Sequence, residues 1–168
     1  MRRFILDLDY TIADSCILQA GGPSRIKDLD PVPGALKFLQ SHAGKCILLT
    51  AGIEEDQRKK IKALDIESYF SDIYIVPTPE HKRQKLQEIV EAIRAKMIYR
   101  FSRIDIVIIG DRLDIEMRRG KELKCVTARI QIPGGIHSGD LPKVPFDHPD
   151  FEAKDFNELM LNYPALFA

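Results

Sequence analysis

The feature that most constrains this chain is its strict alternation of short apolar runs with longer amphipathic ones. Residues 4–8, 46–49, 73–76, 104–109 and 125–130 read as strands, and residues 151–153 as a short sixth. Between them, residues 35–42 read as a helix introduced by Pro33-Gly34, and residues 54–64 as a helix with one charged face. After Pro77 and Pro79, Leu86, Ile89, Val90, Ile93 and Met97 recur at helical spacing. Residues 115–123 read as a further helix, and a last one starts at Asp155, whose carboxylate can cap it. Strands that alternate with helices imply a parallel sheet covered on both faces, a three-layer α/β/α sandwich. The run 104–109 is the most apolar and suits a strand buried on both sides. In such sheets ligands sit beyond the carboxyl ends of the strands, near a reversal of strand order. Chemistry is therefore sought at those ends.

Composition sets the outer bounds. The chain has 168 residues, 45% hydrophobic and 30% charged, which predicts a single soluble domain over residues 1–168. Its formal charge is zero, without the basic excess of a nucleic-acid binder, and no apolar run reaches membrane-spanning length. Asp7 interrupts the N-terminal segment too early for a signal peptide, and Cys16, Cys46 and Cys125 are odd in number and widely spaced. Both point to a reducing cytoplasm, with the cysteines packed in or near the core. His42, His81, His137 and His148 lack zinc-ligand spacing and read as surface or loop residues. Arg94, Lys96, Arg100 and Arg103, interleaved with Tyr99 and Phe101, read as a solvated basic helix face. Residues 134–149, rich in Gly, Pro and Asp, read as a long loop.

Three strand ends carry the chemistry. The first ends in Asp7-Leu8-Asp9-Tyr10-Thr11. A carboxylate there can bind Mg²⁺, a hard ion that takes oxygen ligands, or attack phosphorus to give an aspartyl-phosphate. Asp-x-Asp by itself also describes two solvated acids in a turn. The second strand ends in Thr50-Ala51-Gly52, where a hydroxyl and closely approaching backbone N–H groups can hold phosphate oxygens. The fourth ends in Gly110-Asp111-Arg112-Leu113-Asp114-Ile115-Glu116, whose acids can also serve as helix caps. Taken together they form one constellation of acids and a hydroxyl, with a lysine ahead of the fourth strand. Acids this close repel one another, so a cation is their natural partner.

These motifs resemble the haloacid dehalogenase (HAD) superfamily, whose fold is a Rossmann-like parallel sheet. Asp7-Leu8-Asp9-Tyr10-Thr11 is similar to its first motif, Asp-x-Asp-x-Thr; Thr50 is similar to the second, and Gly110-Asp111 opens the fourth. Gln57-Arg58-Lys59-Lys60, Tyr69-Phe70 and His148-Pro149-Asp150-Phe151-Glu152 resemble one branch of that superfamily with a Gln-x-x-Lys helix. The resemblance implies that Asp7 is nucleophile and metal ligand. Asp9 is implied as general acid/base, with its backbone carbonyl on the metal. Thr50, with Ala51 and Gly52, holds the phosphoryl group, and Asp111 is the third ligand. Glu116, or else Asp114, supports the metal through water. Lys82 offsets charge, with Lys85 as its rival.

Two departures stand out. Neither the stretch from Thr11 to Thr50 nor that from Thr50 to Lys82 has room for a folded cap, and residues 12–30 form at most a flap. Glu116 also stands where many relatives have Asp. The resemblance implies a capless, Mg²⁺-dependent phosphatase for a small phosphorylated molecule, or for a protein or polynucleotide end, with a homo-oligomer as one way to cover the open mouth. The rivals are a dehalogenase, which needs no Mg²⁺, and a binding protein that keeps the fold without catalysis.

Overall fold

The structure, a computed structural model, describes residues 2–97 and 105–167. Tyr99, Arg100, Phe101, Arg103 and Ile104 lie outside the described residues. Six strands form one parallel sheet: β1 (Arg2–Leu6), β2 (Cys46–Ala51), β3 (Phe70–Val76), β4 (Asp105–Gly110), β5 (Val126–Ile130) and β6 (Phe151–Ala153). Their order is β3-β2-β1-β4-β5-β6, the doubly wound arrangement. The order reverses between β1 and β4, so the crevice at their carboxyl ends is the favoured place for a ligand.

Pleating sends alternate residues of each strand to opposite faces. Phe4, Leu6, Leu48, Val107 and Ile109 face one core. Covering it are α2 (Ala35–Ser41) through Phe38 and Leu39, α3 (Glu54–Ala63) through Ile61, and α6 (Phe156–Asn162) through Phe156 and Leu159. Ile5, Ile47, Leu49, Ile106 and Ile108 face the other. There α4 (Pro79–Met97) supplies Leu86, Ile89 and Val90, while α5 (Arg118–Glu122) sets Gly120 against Thr127 and Ile108. The expected three-layer sandwich is present.

Residues 12–30 hold α1 (Cys16–Gly21) followed by a 3₁₀ turn, Gly22–Asp28. Asp155 caps α6 as expected, accepting from the Glu158 N–H at 2.8 Å. Elsewhere the sequence reading shifts. Strand β1 ends at Leu6, two residues early, and the Asp7 N–H makes the last bond from this segment to β4. Strand β3 begins three residues early, because an edge strand tolerates the exposed Ser71 and Asp72. Residues 115–123 are not one α-helix: a π-helical turn, Leu113–Met117, precedes α5. His42 is not a surface residue. It is buried among Phe4, Phe38 and Phe167, with Nδ1 2.9 Å from the Phe38 carbonyl oxygen. Cys46 and Cys125 are buried, Cys16 is half-buried, and all three are free. Arg94 and Lys96 are exposed on α4, as a solvated face requires, and Arg94 also donates to the Leu123 carbonyl at 2.6 Å, tying α4 to the end of α5. No helix among the described residues is long and apolar enough to cross a membrane.

Candidate active site

The pocket at the reversal point is a cavity of about 220 Å³. Asp7, Asp9, Thr50, Ala51, Gly52, Lys82 and Asp111 line it, so the residues singled out in the sequence converge there. Backbone geometry explains the convergence. The Asp7 N–H donates to the Ile109 carbonyl at 3.0 Å, continuing the β1–β4 ladder one residue past β1. The next carbonyl, on Leu8, accepts from the N–H groups of Thr11, Ile12 and Ala13. That tight reversal passes through Tyr10 at φ 56° and returns Asp9 to the same pocket. Thr50 reaches it from β2, buried, with no hydrogen bond to its hydroxyl among the described residues. Lys82 reaches it from the first turn of α4, which opens on Pro79, a residue pre-set for that position.

Asp7, Asp111 and Glu116 each present an oxygen within 4.8 Å of the others, and all three are buried. The lysine Nζ of Lys82 lies 2.6 Å from Asp7 Oδ1 and 2.5 Å from Glu116 Oε1. Asp7 Oδ1 also accepts from the Leu8 N–H at 2.7 Å, which leaves Oδ2 without a donor among the described residues. Glu116 is brought back against the strand end by the π turn. Gly110 permits it: a Cβ there would overlap the Glu116 side chain. The carboxylate of Glu116 therefore reaches the cluster directly, whereas Asp114 turns away and pairs with Arg112 at 2.9 Å. Lys85 lies outside the pocket, paired with Glu88 at 2.5 Å.

Electrostatics follow from this crowding. Burial lifts the Asp7 carboxyl to about 6, with Lys82 opposing and Glu116 adding to the rise. Asp111 is raised well above the ordinary carboxylate range by burial and by Asp7 and Glu116. Burial works against the Lys82 ammonium, but Asp7 and Glu116 outweigh it and hold its pKa above that of an ordinary lysine. Three carboxylates and one lysine leave two negative charges, which one divalent cation balances. An all-oxygen donor set suits a hard cation such as Mg²⁺. The donor set and its charge thus fit the metal that the motifs led us to expect, with Asp7, Asp111 and Glu116 as the side chains able to hold it.

Asp9 has a different environment. Lys60 Nζ lies 2.7 and 2.9 Å from its two oxygens. Ser15 Oγ donates to Oδ1 at 2.5 Å and Gln57 Nε2 to Oδ2 at 2.9 Å. Burial acts to raise this carboxyl, but Lys60 outweighs it, with Ser15 and Gln57, and the pKa lies below the usual value. The sequence held a trace of this arrangement in the Gln57/Lys60 pair, read there only as the mark of one branch and given no role at Asp9. Gln57 and Lys60 are both buried. Tyr10, Arg112 and His137 also line the pocket and were not expected there.

Arg129, also buried, stitches the rim together. Its Nε donates to the Asp111 carbonyl at 3.1 Å and an Nη group to the His137 carbonyl at 2.6 Å, joining the acidic loop to residues 134–149.

No family model matches this sequence, and no curated protein matches it either. Solved structures do resemble it. YfnB from Bacillus subtilis, described as a HAD hydrolase and solved bound to magnesium, superposes with a TM-score of 0.60 at 20% identity. That match covers 89% of this chain and spans 64% of the YfnB chain. A HAD phosphatase from Thermococcus onnurineus gives 0.66 at 14% identity, over 96% of this chain and 97% of its own. The L-2-haloacid dehalogenase from Xanthobacter autotrophicus gives 0.60 at 12% identity, over 95% and 98%. Phosphatases and dehalogenases both appear among these likenesses, and what they share with this protein is architecture: the chain is built on the haloacid dehalogenase-like hydrolase fold.

Proposed function

We propose that this protein is a Mg²⁺-dependent phosphatase that hydrolyses a phosphomonoester through an aspartyl-phosphate on Asp7. The observation that carries the reading is the Asp7 carboxylate itself. One oxygen is fixed by Lys82 and the Leu8 N–H, the other is left for attack, and the surrounding acids keep an excess of two negative charges. A bound Mg²⁺ would supply electrophilic stabilisation of the phosphoryl oxygens. The remaining work falls to the chain. Asp7 Oδ2 attacks phosphorus as the bond to the leaving oxygen breaks, and Asp9 supplies that oxygen with a proton. Thr50 and the Ala51 N–H hold the phosphoryl oxygens, while the Gly52 N–H, expected there too, is taken by the Val76 carbonyl at 2.8 Å. Water then attacks phosphorus, Asp9 takes its proton, and the Asp7 carboxylate is released with inorganic phosphate.

Asp9 and the acid cluster, which a metal-free dehalogenation does not require, favour this chemistry over the dehalogenase reading. The same intact acids argue against a binding protein without catalysis. We place the reaction in the cytoplasm, on one domain without a folded cap. A small phosphorylated molecule is the substrate, and a second copy of the chain covers the mouth.

Phosphorylated metabolites assayed with and without Mg²⁺ test the activity. Acid-quenched mass spectrometry with an aryl phosphate tests the intermediate: label should appear on Asp7, and Asp7→Asn should abolish turnover while the fold survives. Label on another residue, or full activity in Asp7→Asn, defeats the mechanism.

A further inference from the structure

Asp9 must give and take protons in the chemistry proposed above, yet its carboxylate is fully engaged. An ionised carboxylate offers about four acceptor positions. Here Lys60 occupies one on each oxygen, Ser15 takes another on Oδ1 and Gln57 another on Oδ2. In this pose Asp9 has neither a proton to donate nor an open position to receive one, so at least one of these bonds must break in each proton transfer.

Lys60 is only 8% exposed, and Asp9 is the carboxylate it meets among the described residues. A buried ammonium needs such a partner. Its neighbour on the same helix face, Gln57, reaches two places at once. The Gln57 Nε2 group donates to Asp9 and also to the Ala51 carbonyl at 3.1 Å. Gly52, at φ +150°, leaves room for it: a Cβ there would lie 2.6 Å from that nitrogen. One face of α3 thus connects the Thr50–Gly52 loop, where the phosphoryl group would bind, to the acid/base.

Resting on the phosphatase reading, we infer that Lys60 is a positioning residue for Asp9: with Gln57 it holds the acid/base against α3 between turnovers, and it yields a carboxylate oxygen to the leaving group and then to water. The proton balance closes through solvent: when the tether opens, Asp9 takes a proton from bulk water, and it returns one as the tether closes. The Asp9 O–H bond breaks as the leaving oxygen is protonated. It re-forms when the incoming water loses a proton, as that water's oxygen bonds to phosphorus and the Asp7–phosphorus bond breaks.

Three variants test this in the full-length protein: Lys60→Gln, Lys60→Arg and Asp9→Asn. Lys60→Gln should lower kcat on an alkyl phosphate by about 10²-fold, the scale of a mispositioned general acid/base, with little change in KM. On an aryl phosphate, whose leaving group needs no proton, formation of the aspartyl-phosphate should be nearly unaffected. Lys60→Arg, which keeps a charged donor, should recover part of the loss. Lys60→Gln added to Asp9→Asn should cost little more than Asp9→Asn alone, because the two residues act as a unit. A purely structural lysine predicts the reverse: equal losses with both substrates and additive losses in the double variant. Either result overturns the inference. Crystal structures of wild type and Lys60→Gln read the tether without activity, and an Asp9 side chain unmoved between them also overturns it. Wild-type protein inert toward every phosphate ester with Mg²⁺ defeats the phosphatase reading and the acid/base role together, whereas wild-type activity with an unaltered Lys60→Gln profile defeats only the role given to Lys60.

Discussion

Lys82 is what keeps three buried carboxylates compatible before a cation binds. Removing one member of a buried ion pair leaves an uncompensated charge, at a typical cost of about 3–5 kcal/mol. Lys82→Met should therefore destabilise the metal-free protein by about that amount in urea unfolding. The pH dependence carries the same message. The Asp7 carboxyl titrates at about 6 in the fold, against 3.8 for the free side chain. Between these values the folded state holds a proton that the unfolded chain has lost. The stability linked to that proton is complete below the lower value and disappears as the pH rises through the higher one. Asp111 acts in the same direction. In a chelator, the melting temperature should fall between about pH 4 and about pH 6, and Asp7→Asn should flatten that slope. A slope of the same size in Asp7→Asn would mean that the acid cluster does not govern it. Asp147, held down to about 2 chiefly by Arg118, loses its contribution only at far lower pH and does not confuse the reading. At this scale much was legible: Asp7, Thr50 and Asp111 follow from motif order at strand ends, while Lys82, on α4, came from the resemblance with Lys85 left as its rival. The partners of Asp9 were not, because Lys60 and Ser15 meet it only through tertiary folding. On its own, a lysine three residues from a glutamine on a charged helix reads as solvated.

Among the elements, the π turn Leu113–Met117 does something an α-helix start would not, returning Glu116 toward Gly110 and Lys82. Such insertions are frequent at functional sites. Nothing in Leu113-Asp114-Ile115-Glu116-Met117 distinguishes a π turn from an α turn, so the sequence showed the helix but not its opening. The arrangement makes a specific demand on Gly110. In Gly110→Ala the new methyl would push Glu116 out of the cluster. Overpacking of this kind costs about 1–3 kcal/mol. Calorimetric titration with Mg²⁺ should also show weaker binding than wild type. Unchanged affinity in Gly110→Ala would remove Glu116 from the metal site. The strands were easier to read than the turns that join them, since apolar runs announce themselves while the three N–H groups converging on the Leu8 carbonyl do not.

Across the whole molecule, the strand order places Asp7 and Asp111 side by side at the reversal point, an adjacency that linear sequence implies only through the fold. A cation bound there stabilises the folded state by mass action, by about 2.7 kcal/mol at a hundredfold excess over Kd. Mg²⁺ should raise the melting temperature of the wild type accordingly and have little effect on Asp111→Asn. An equal rise in both would place the ion elsewhere.

The lysines that pair with Asp7 and Asp9 come from opposite layers: Lys82 from α4, packed on the core around Ile5 and Ile108, and Lys60 from α3, packed on the core around Phe4 and Leu48. Neither half of the sandwich holds a complete set of charges. During refolding from denaturant, catalytic competence should consequently return with the later of the two layers to dock. Enzyme assay against time would then time that event, while far-ultraviolet circular dichroism would already have recovered with the helices.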